Sequence, residues 1–199
     1  MKRLIFATHN PGKLEEMRQL VDGLGIEVMS ADEAGVHEAV VEDGKTFAEN
    51  ALKKARFVAQ KSGAWSVADD SGIMIDALEG RPGVYTARWA GEGASDEQLV
   101  AHTLEQLKDV EGGRRGATFH SVVALVSPDG EEQTFEGSIV GTIVITPRGT
   151  HKKKLPYDVL FSPSGQSQTF AEMSDEQKNA LSHRGRAFQK LMEFLRSSN

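Results

Sequence analysis

The sequence predicts an α/β fold with strands of mixed direction. Three observations carry that expectation: short apolar runs that read as inner strands, capped amphipathic segments that read as helices, and the alternation of the two along the chain. With 199 residues, 39% hydrophobic and 26% charged, the chain can enclose a sizeable core as one compact or two-lobed domain, and disorder is not expected.

Residues 4–7 form a short apolar strand, and Thr8-His9-Asn10-Pro11-Gly12-Lys13 follows as a strand-to-helix turn. Asn10 is placed to cap the next helix, Pro11 suits its first position, and Leu14, Met17, Leu20 and Val21 give it an apolar stripe. Residues 26–29 read as a second strand, before a polar connection with Glu38, Glu42 and Asp43. Thr46 and Glu49 have capping-box spacing, and Phe47, Ala51, Ala55, Val58 and Ala59 form the seam of a helix reaching residue 62. Residues 65–68 read as a strand ending at Asp69-Asp70-Ser71-Gly72, with an apolar segment resuming over 73–75.

Residues 80–89 mix breakers with aromatics and predict a shaped loop. Tyr85 and Trp89 in it can enclose a planar ligand, but filling the core is their simpler role. Ser95 and Gln98 cap a helix ending near Lys108. Residues 117–126 and 133–145 then resemble two long strands joined through Pro128-Asp129-Gly130, with Phe119 and Phe135 as core residues. The tail carries the basic loop His151-Lys152-Lys153-Lys154, the pair Tyr157-Asp158, a turn at 163–165 and a capping box from Ser174 to Gln177. A last helix packs through Ala187, Leu191, Phe194 and Leu195.

The balance of 23 Lys and Arg against 29 Asp and Glu argues against a basic nucleic-acid surface, so no stable nucleic-acid partner is expected. Zero cysteines exclude disulfides, thiolate ligands and cysteine nucleophiles together. No run approaches the roughly 18 apolar residues that cross a bilayer, and Lys2-Arg3 opens no signal-peptide pattern. A cytoplasmic protein without a membrane partner is expected.

Asp69-Asp70 is the strongest local chemical clue. In an extended segment the two side chains point to opposite faces, so Asp70 can serve a ligand, as magnesium ligand or proton acceptor, while Asp69 braces the turn. Glu42 is the best distant candidate to share such an ion, and without histidine clusters magnesium is favoured over zinc. Backbone N–H groups, Thr8 and Lys13 at the first helix start can hold phosphate oxygens, and Lys54 rather than Lys53 is the candidate for a phosphate face. Lys178 offers a further phosphate contact, while Asp158, Ser182, His183 and Arg184 offer donors and acceptors for a purine base. Each also has an ordinary reading: turn solvation for Asp69 and Asp70, solvent charges for the lysines, and a helix cap for Ser182.

Taken together, the blocks at 8–13 (THNPGK), 47–55 (FAENALKKA), 68–72 (ADDSG), 79–91 (EGRPGVYTARWAG) and 169–187 (TFAEM through SHRGRA) resemble the inosine triphosphate pyrophosphatase family, also called Ham1-like. The resemblance spans nearly the whole chain. It implies a single elongated two-lobed α/β domain over residues 1–199 with a central nucleotide cleft, a homodimer, and magnesium-dependent hydrolysis of inosine, deoxyinosine and xanthosine triphosphates to monophosphate and pyrophosphate. It further implies catalytic roles for Asp69, Asp70 and Lys54 and a magnesium site at Glu42 and Asp70. Substrate contacts are implied at Thr8, Asn10, Lys13, Ser71, Leu155, Tyr157, Asp158, Lys178, Ser182, His183 and Arg184. A pyrophosphatase for another modified or ordinary nucleotide, and a nonenzymatic nucleotide sensor, are the competing expectations.

One departure stands out. The family usually places a glycine–aromatic–glycine stretch before its tyrosine–aspartate pair, whereas this chain has Lys154-Leu155-Pro156. Leu155 can cover a base by apolar contact but offers no π face. Leu155→Phe is therefore expected to tighten inosine triphosphate binding, and equal dissociation constants for the two proteins would reject the stacking role.

Overall fold

A computed structural model describes residues 3–8 and 11–197. The expected cap Asn10 lies outside the described residues. In chain order the elements are β1 (Arg3–Phe6), α1 (Pro11–Leu20), β2 (Glu27–Ser30), α2 (Phe47–Ser62), β3 (Trp65–Ile75), α3 (Asp96–Gln106), β4 (Gly116–Val126), β5 (Glu132–Ile143), β6 (Phe161–Pro163), α4 (Asp175–Leu181) and α5 (His183–Ser197), with short 3-10 turns between them. The strands form one sheet in the order β2-β1-β3-β4-β5-β6. Parallel pairs join β1 to β2 and β3, while β5 and β6 are antiparallel, so the expected α/β class with a mixed sheet is what the chain adopts.

The chain divides into two compact units. The first comprises Met1–Asp70, Ser121–Glu136 and Ala187–Asn199. Leu4, Ile5 and Phe6 of β1 are all buried because this strand has parallel neighbours on both edges and helices on both faces. Leu4 and Phe6 pack with Leu14 and Met17 of α1 and Phe188 and Leu191 of α5; on the other face Ile5 packs with Ala31, Val36 and Val58. Helix α2 starts where Thr46 Oγ1 accepts the Glu49 N–H at 3.1 Å and stops at Gly63, whose φ of 63° no β-carbon opposes. The reciprocal limb of the expected capping box shifts by one residue, since the Glu49 carboxylate accepts from Lys45 N–H at 2.6 Å.

The second unit comprises Ser71–His120 and Gly137–Arg186. Its core gathers Ile73, Ile75, Leu107, Ile139 and Ile143 around Phe119, Phe161 and Phe170, with the Phe119 and Phe161 rings edge-on at 4.7 Å. Here α3 opens on the expected Ser95–Gln98 capping box and α4 on the Ser174–Gln177 box.

Several expectations are corrected. The strand read as ending at Asp69 runs on through Ile75, so the two carboxylates sit inside β3 rather than on a turn. Aspartate favours turns because its charge seeks solvation; within β3 protein groups supply that solvation instead. Tyr85, assigned to packing, lies in a 3-10 turn and is 55% exposed, while Trp89 is half-buried. Phe119 is buried as expected, but Phe135 is only half-buried against the core of the first unit. Strand β5 stops at Ile143, two residues short, and the Val144 N–H donates to the Leu160 carbonyl at 2.8 Å.

Ser66, opposite Ile5 in the parallel ladder, is fully buried, and its hydroxyl has no hydrogen-bond partner among the described residues. Leaving such a group unpaired is costly. Ser66→Ala is expected to raise the unfolding free energy by about 1 kcal/mol, seen as a Tm increase of about 2–4 °C; a lower Tm would show that the hydroxyl is satisfied.

Candidate active site

In the first unit, the end of β1, the start of α1, the acidic loop before α2 and the middle of β3 supply the polar groups. Asp69 is buried, and Lys13 of α1 donates to both of its carboxylate oxygens at 2.9 and 2.7 Å. Two bonds from one ammonium make this a charge-assisted pair with low exposure on both sides. Lys54 of α2 reaches back to the same strand, donating to the Asp69 carbonyl at 2.7 Å while its ammonium lies 3.2 Å from Glu42 Oε1. Lys53, one residue earlier and about 100° around the helix, turns to Asp43 at 2.5 Å. The distinction drawn between the two lysines is thus present in their contacts.

Asn50 completes the arrangement, although locally nothing marks it beyond its place in a helix. It is fully buried. Its Oδ1 accepts the Gly44 N–H at 2.8 Å and its Nδ2 donates to Asp70 Oδ2 at 2.9 Å. A β-carbon at Gly44 would lie 2.6 Å from Asn50 Oδ1 and 2.9 Å from Glu49 Cβ, so glycine is required for this approach. One buried amide therefore ties the acidic loop to the Asp70 carboxylate. Asn50 lies three residues after Phe47 of the packing seam and four before Lys54; this spacing could have signalled a polar residue on the buried side of α2.

Two ammonium groups here meet two carboxylates, Lys13 on Asp69 and Lys54 beside Glu42, while Asp70 is held by the neutral Asn50 amide. The acidic side chains here offer oxygen donors only, which suits a hard divalent cation of the magnesium type. Among the described residues no three acidic or histidine side chains form a group able to hold a metal ion by themselves. Thr8 is buried just beyond β1, and Ser71 follows Asp70 along β3 in a half-buried position.

In the second unit, Asp158 is buried and ion-paired with Lys178. Lys178 also lies 5.5 Å from the centre of the Phe170 ring. The charge expected to meet a phosphate and the carboxylate expected to read a base are therefore joined to each other. Tyr157 is buried and donates to the Thr86 carbonyl at 3.0 Å; burial pushes its phenol well above the ordinary value, so it stays a neutral donor. Leu155 is half-buried at the head of the 3-10 turn Pro156–Val159.

The SHRG stretch forms the junction between α4 and α5. Ser182 Oγ accepts the Gly185 N–H at 3.0 Å, the helix-capping role weighed for it. A β-carbon at Gly185 would lie 1.9 Å from the Asn179 carbonyl oxygen. The His183 ring stacks on Phe119, with centroids 4.6 Å apart and planes within 5°. Phe119 was read as core and is buried, but its service as a platform for His183 leaves no mark in the local sequence. Arg184 follows His183 in the first turn of α5 and is half-buried.

A sequence model of the Ham1 family matches residues 4–194. The chain is 47% identical over 195 residues to a dITP/XTP pyrophosphatase of Geobacter sulfurreducens, covering 98% of this chain and 97% of that protein. It is 42% identical to the dITP/XTP pyrophosphatase of Bacillus subtilis, covering 98% of each. Among solved structures it superposes on a HAM1 protein from Coxiella burnetii with a TM-score of 0.92 at 36% identity, covering 99% of this chain and all of that one. The Staphylococcus aureus Ham1 protein gives 0.91 at 33% identity with full coverage of both. No helix among the described residues is long and apolar enough to cross a membrane.

Replacing Asn50 by leucine keeps its approximate volume but strands the Gly44 N–H and removes a donor from Asp70. Asn50→Leu is expected to lower the unfolding free energy by roughly 2–4 kcal/mol in urea titrations; a loss below about 1 kcal/mol would show that the two bonds add little to the fold.

Proposed function

The chain belongs to the Ham1 family, and from that premise we propose that it hydrolyses deoxyinosine, inosine and xanthosine triphosphates to nucleoside monophosphate and pyrophosphate, with magnesium. The observation that carries this reading is the gathering of Glu42, Asp69 and Asp70 with Lys13 and Lys54 around β3. That mixture of oxygen ligands and ammonium groups is what a metal-bound polyphosphate requires.

Glu42 and Asp70 would hold the magnesium, which when bound neutralises phosphate charge and acidifies water. The Asn50 bond fixes one oxygen of Asp70, and the carboxylate orients the attacking water and accepts its proton. The water oxygen bonds to the α-phosphorus as the bond to the α–β bridging oxygen breaks, and the bridging oxygen leaves with pyrophosphate. Lys13 and Lys54 offset the charge that gathers on the leaving group, and Asp69 keeps Lys13 in position. Thr8, Asn10 and Ser71 contribute further contacts to phosphate or ribose.

Base recognition is assigned to the second unit. His183 is held flat by Phe119 and presents ring nitrogens, with Ser182 and Arg184 beside it in sequence. Asp158 and Lys178 act as a coupled pair, Tyr157 braces the segment between them and Leu155, and Leu155 supplies apolar cover. The same reading makes the protein a single two-lobed cytoplasmic domain acting as a homodimer, without a membrane or stable nucleic-acid partner.

The test is a nucleotide panel scored by kcat/KM with monophosphate and pyrophosphate resolved. Preference for ordinary triphosphates would reverse the substrate assignment, and stoichiometric binding without product would make the protein a sensor. Asp70→Asn is expected to lower turnover by about 100-fold or more. Near-unchanged turnover at saturating magnesium would remove Asp70 from the chemistry.

A further inference from the structure

The basic loop before Tyr157 is held by a residue far from it in the chain. The Leu155 N–H closes a turn onto the Lys152 carbonyl at 3.0 Å, and the third residue of that turn, Lys154, has a φ of 65°. This is the sign pattern of a type II turn, whose third position ordinarily takes glycine or asparagine. Among the described residues only Glu79 and Lys154 hold a positive φ without being glycine. The Glu79 N–H is satisfied within its own 3-10 turn, by the Asp76 carbonyl at 3.0 Å. The Lys154 N–H instead leaves its turn and donates to Asp96 Oδ2 at 2.7 Å.

The same oxygen lies 3.2 Å from His151 Nε2, so one carboxylate grips both sides of the stretch 151–154. Asp96 is well placed for this: it is the first residue of α3, where the Ser95–Gln98 capping box fixes the backbone. Its neighbour Glu97 accepts from Ser95 Oγ at 2.8 Å and meets His151 only through its charge. Beyond Leu155 the chain is anchored again, by Tyr157 on the Thr86 carbonyl and by Asp158 on Lys178. Leu155 thus lies between two anchors, and Asp96 is the upstream one.

We infer that Asp96 is a positioning residue for the base site: its charged acceptor stabilises the left-handed Lys154 and thereby sets where Leu155 stands. The inference rests on the proposed function, in which Leu155 covers the base. A charge-assisted hydrogen bond is strong enough to offset the backbone penalty, and glycine at 154 would carry no such penalty to offset.

The experiment is a double-mutant cycle read by kcat and KM for deoxyinosine triphosphate, with calorimetric binding of a non-hydrolysable analogue and hydrogen exchange over residues 150–156. Asp96→Ala is expected to raise KM and the dissociation constant about tenfold with kcat within about twofold, and to expose the Lys154 amide to exchange. Adding Lys154→Gly should bring the Asp96→Ala effect down to about threefold or less. Glu97→Ala, which removes a charge from the same helix end, should leave KM unchanged. An unaltered KM in Asp96→Ala, or an equal penalty with and without Lys154→Gly, would overturn the inference. Leu155→Ala separates the two readings: an unchanged KM there removes the base contact itself, whereas a raised KM beside an unaffected Asp96→Ala removes only the role of Asp96.

Discussion

A carboxylate buried in the middle of a strand has to be answered by protein groups, and Asp69 sets that requirement for the first unit. Lys13 answers the charge and Lys54 takes the carbonyl of the same residue. These bonds bring the first turn of α1 and the second turn of α2 to one stretch of β3. Because Lys54 also meets Glu42, the acidic loop is drawn to the same place. The cluster is thus organised by solvation of one acid, while its neighbour Asp70 is presented on the opposite side of the strand.

The sequence revealed the elements better than it revealed their joins. Helix caps at Thr46, Ser95 and Ser174 were legible because capping is a local contract between residues three apart. So was the separation of Lys53 from Lys54, which follows from helical geometry alone. The strand through Asp69 and Asp70 was not legible, because the groups that make aspartate tolerable there come from residues 13, 50 and 54. Local statistics read two aspartates, a serine and a glycine as a turn; tertiary hydrogen bonds overrule them. The contacts of Asn50 and the service of Phe119 as a platform for His183 were not legible for the same reason, since each acts through a partner distant in sequence.

The second unit shows how side chains with ligand-binding chemistry can be engaged inside the protein. Asp158 and Lys178 neutralise each other, and the Lys178 ammonium also faces the Phe170 ring. Phe170 packs against Phe161 at 5.1 Å, and Phe119 carries His183, so polar groups rest on an aromatic base rather than on flexible loops. Such groups lose little conformational freedom when a ligand arrives, because packing has already restricted them.

The close approach at Gly185 bears on how kinship in this stretch should be interpreted. No side chain fits between this residue and the Asn179 carbonyl, and the Ser182 hydroxyl depends on the amide of the same glycine. Glycine, with serine as its capping partner, thus serves the sharp corner between two helices whatever further contact the serine makes. When homologous chains share these letters, the shared feature documents an architectural joint. Inherited selectivity has to be sought in the side chains on either side of that joint.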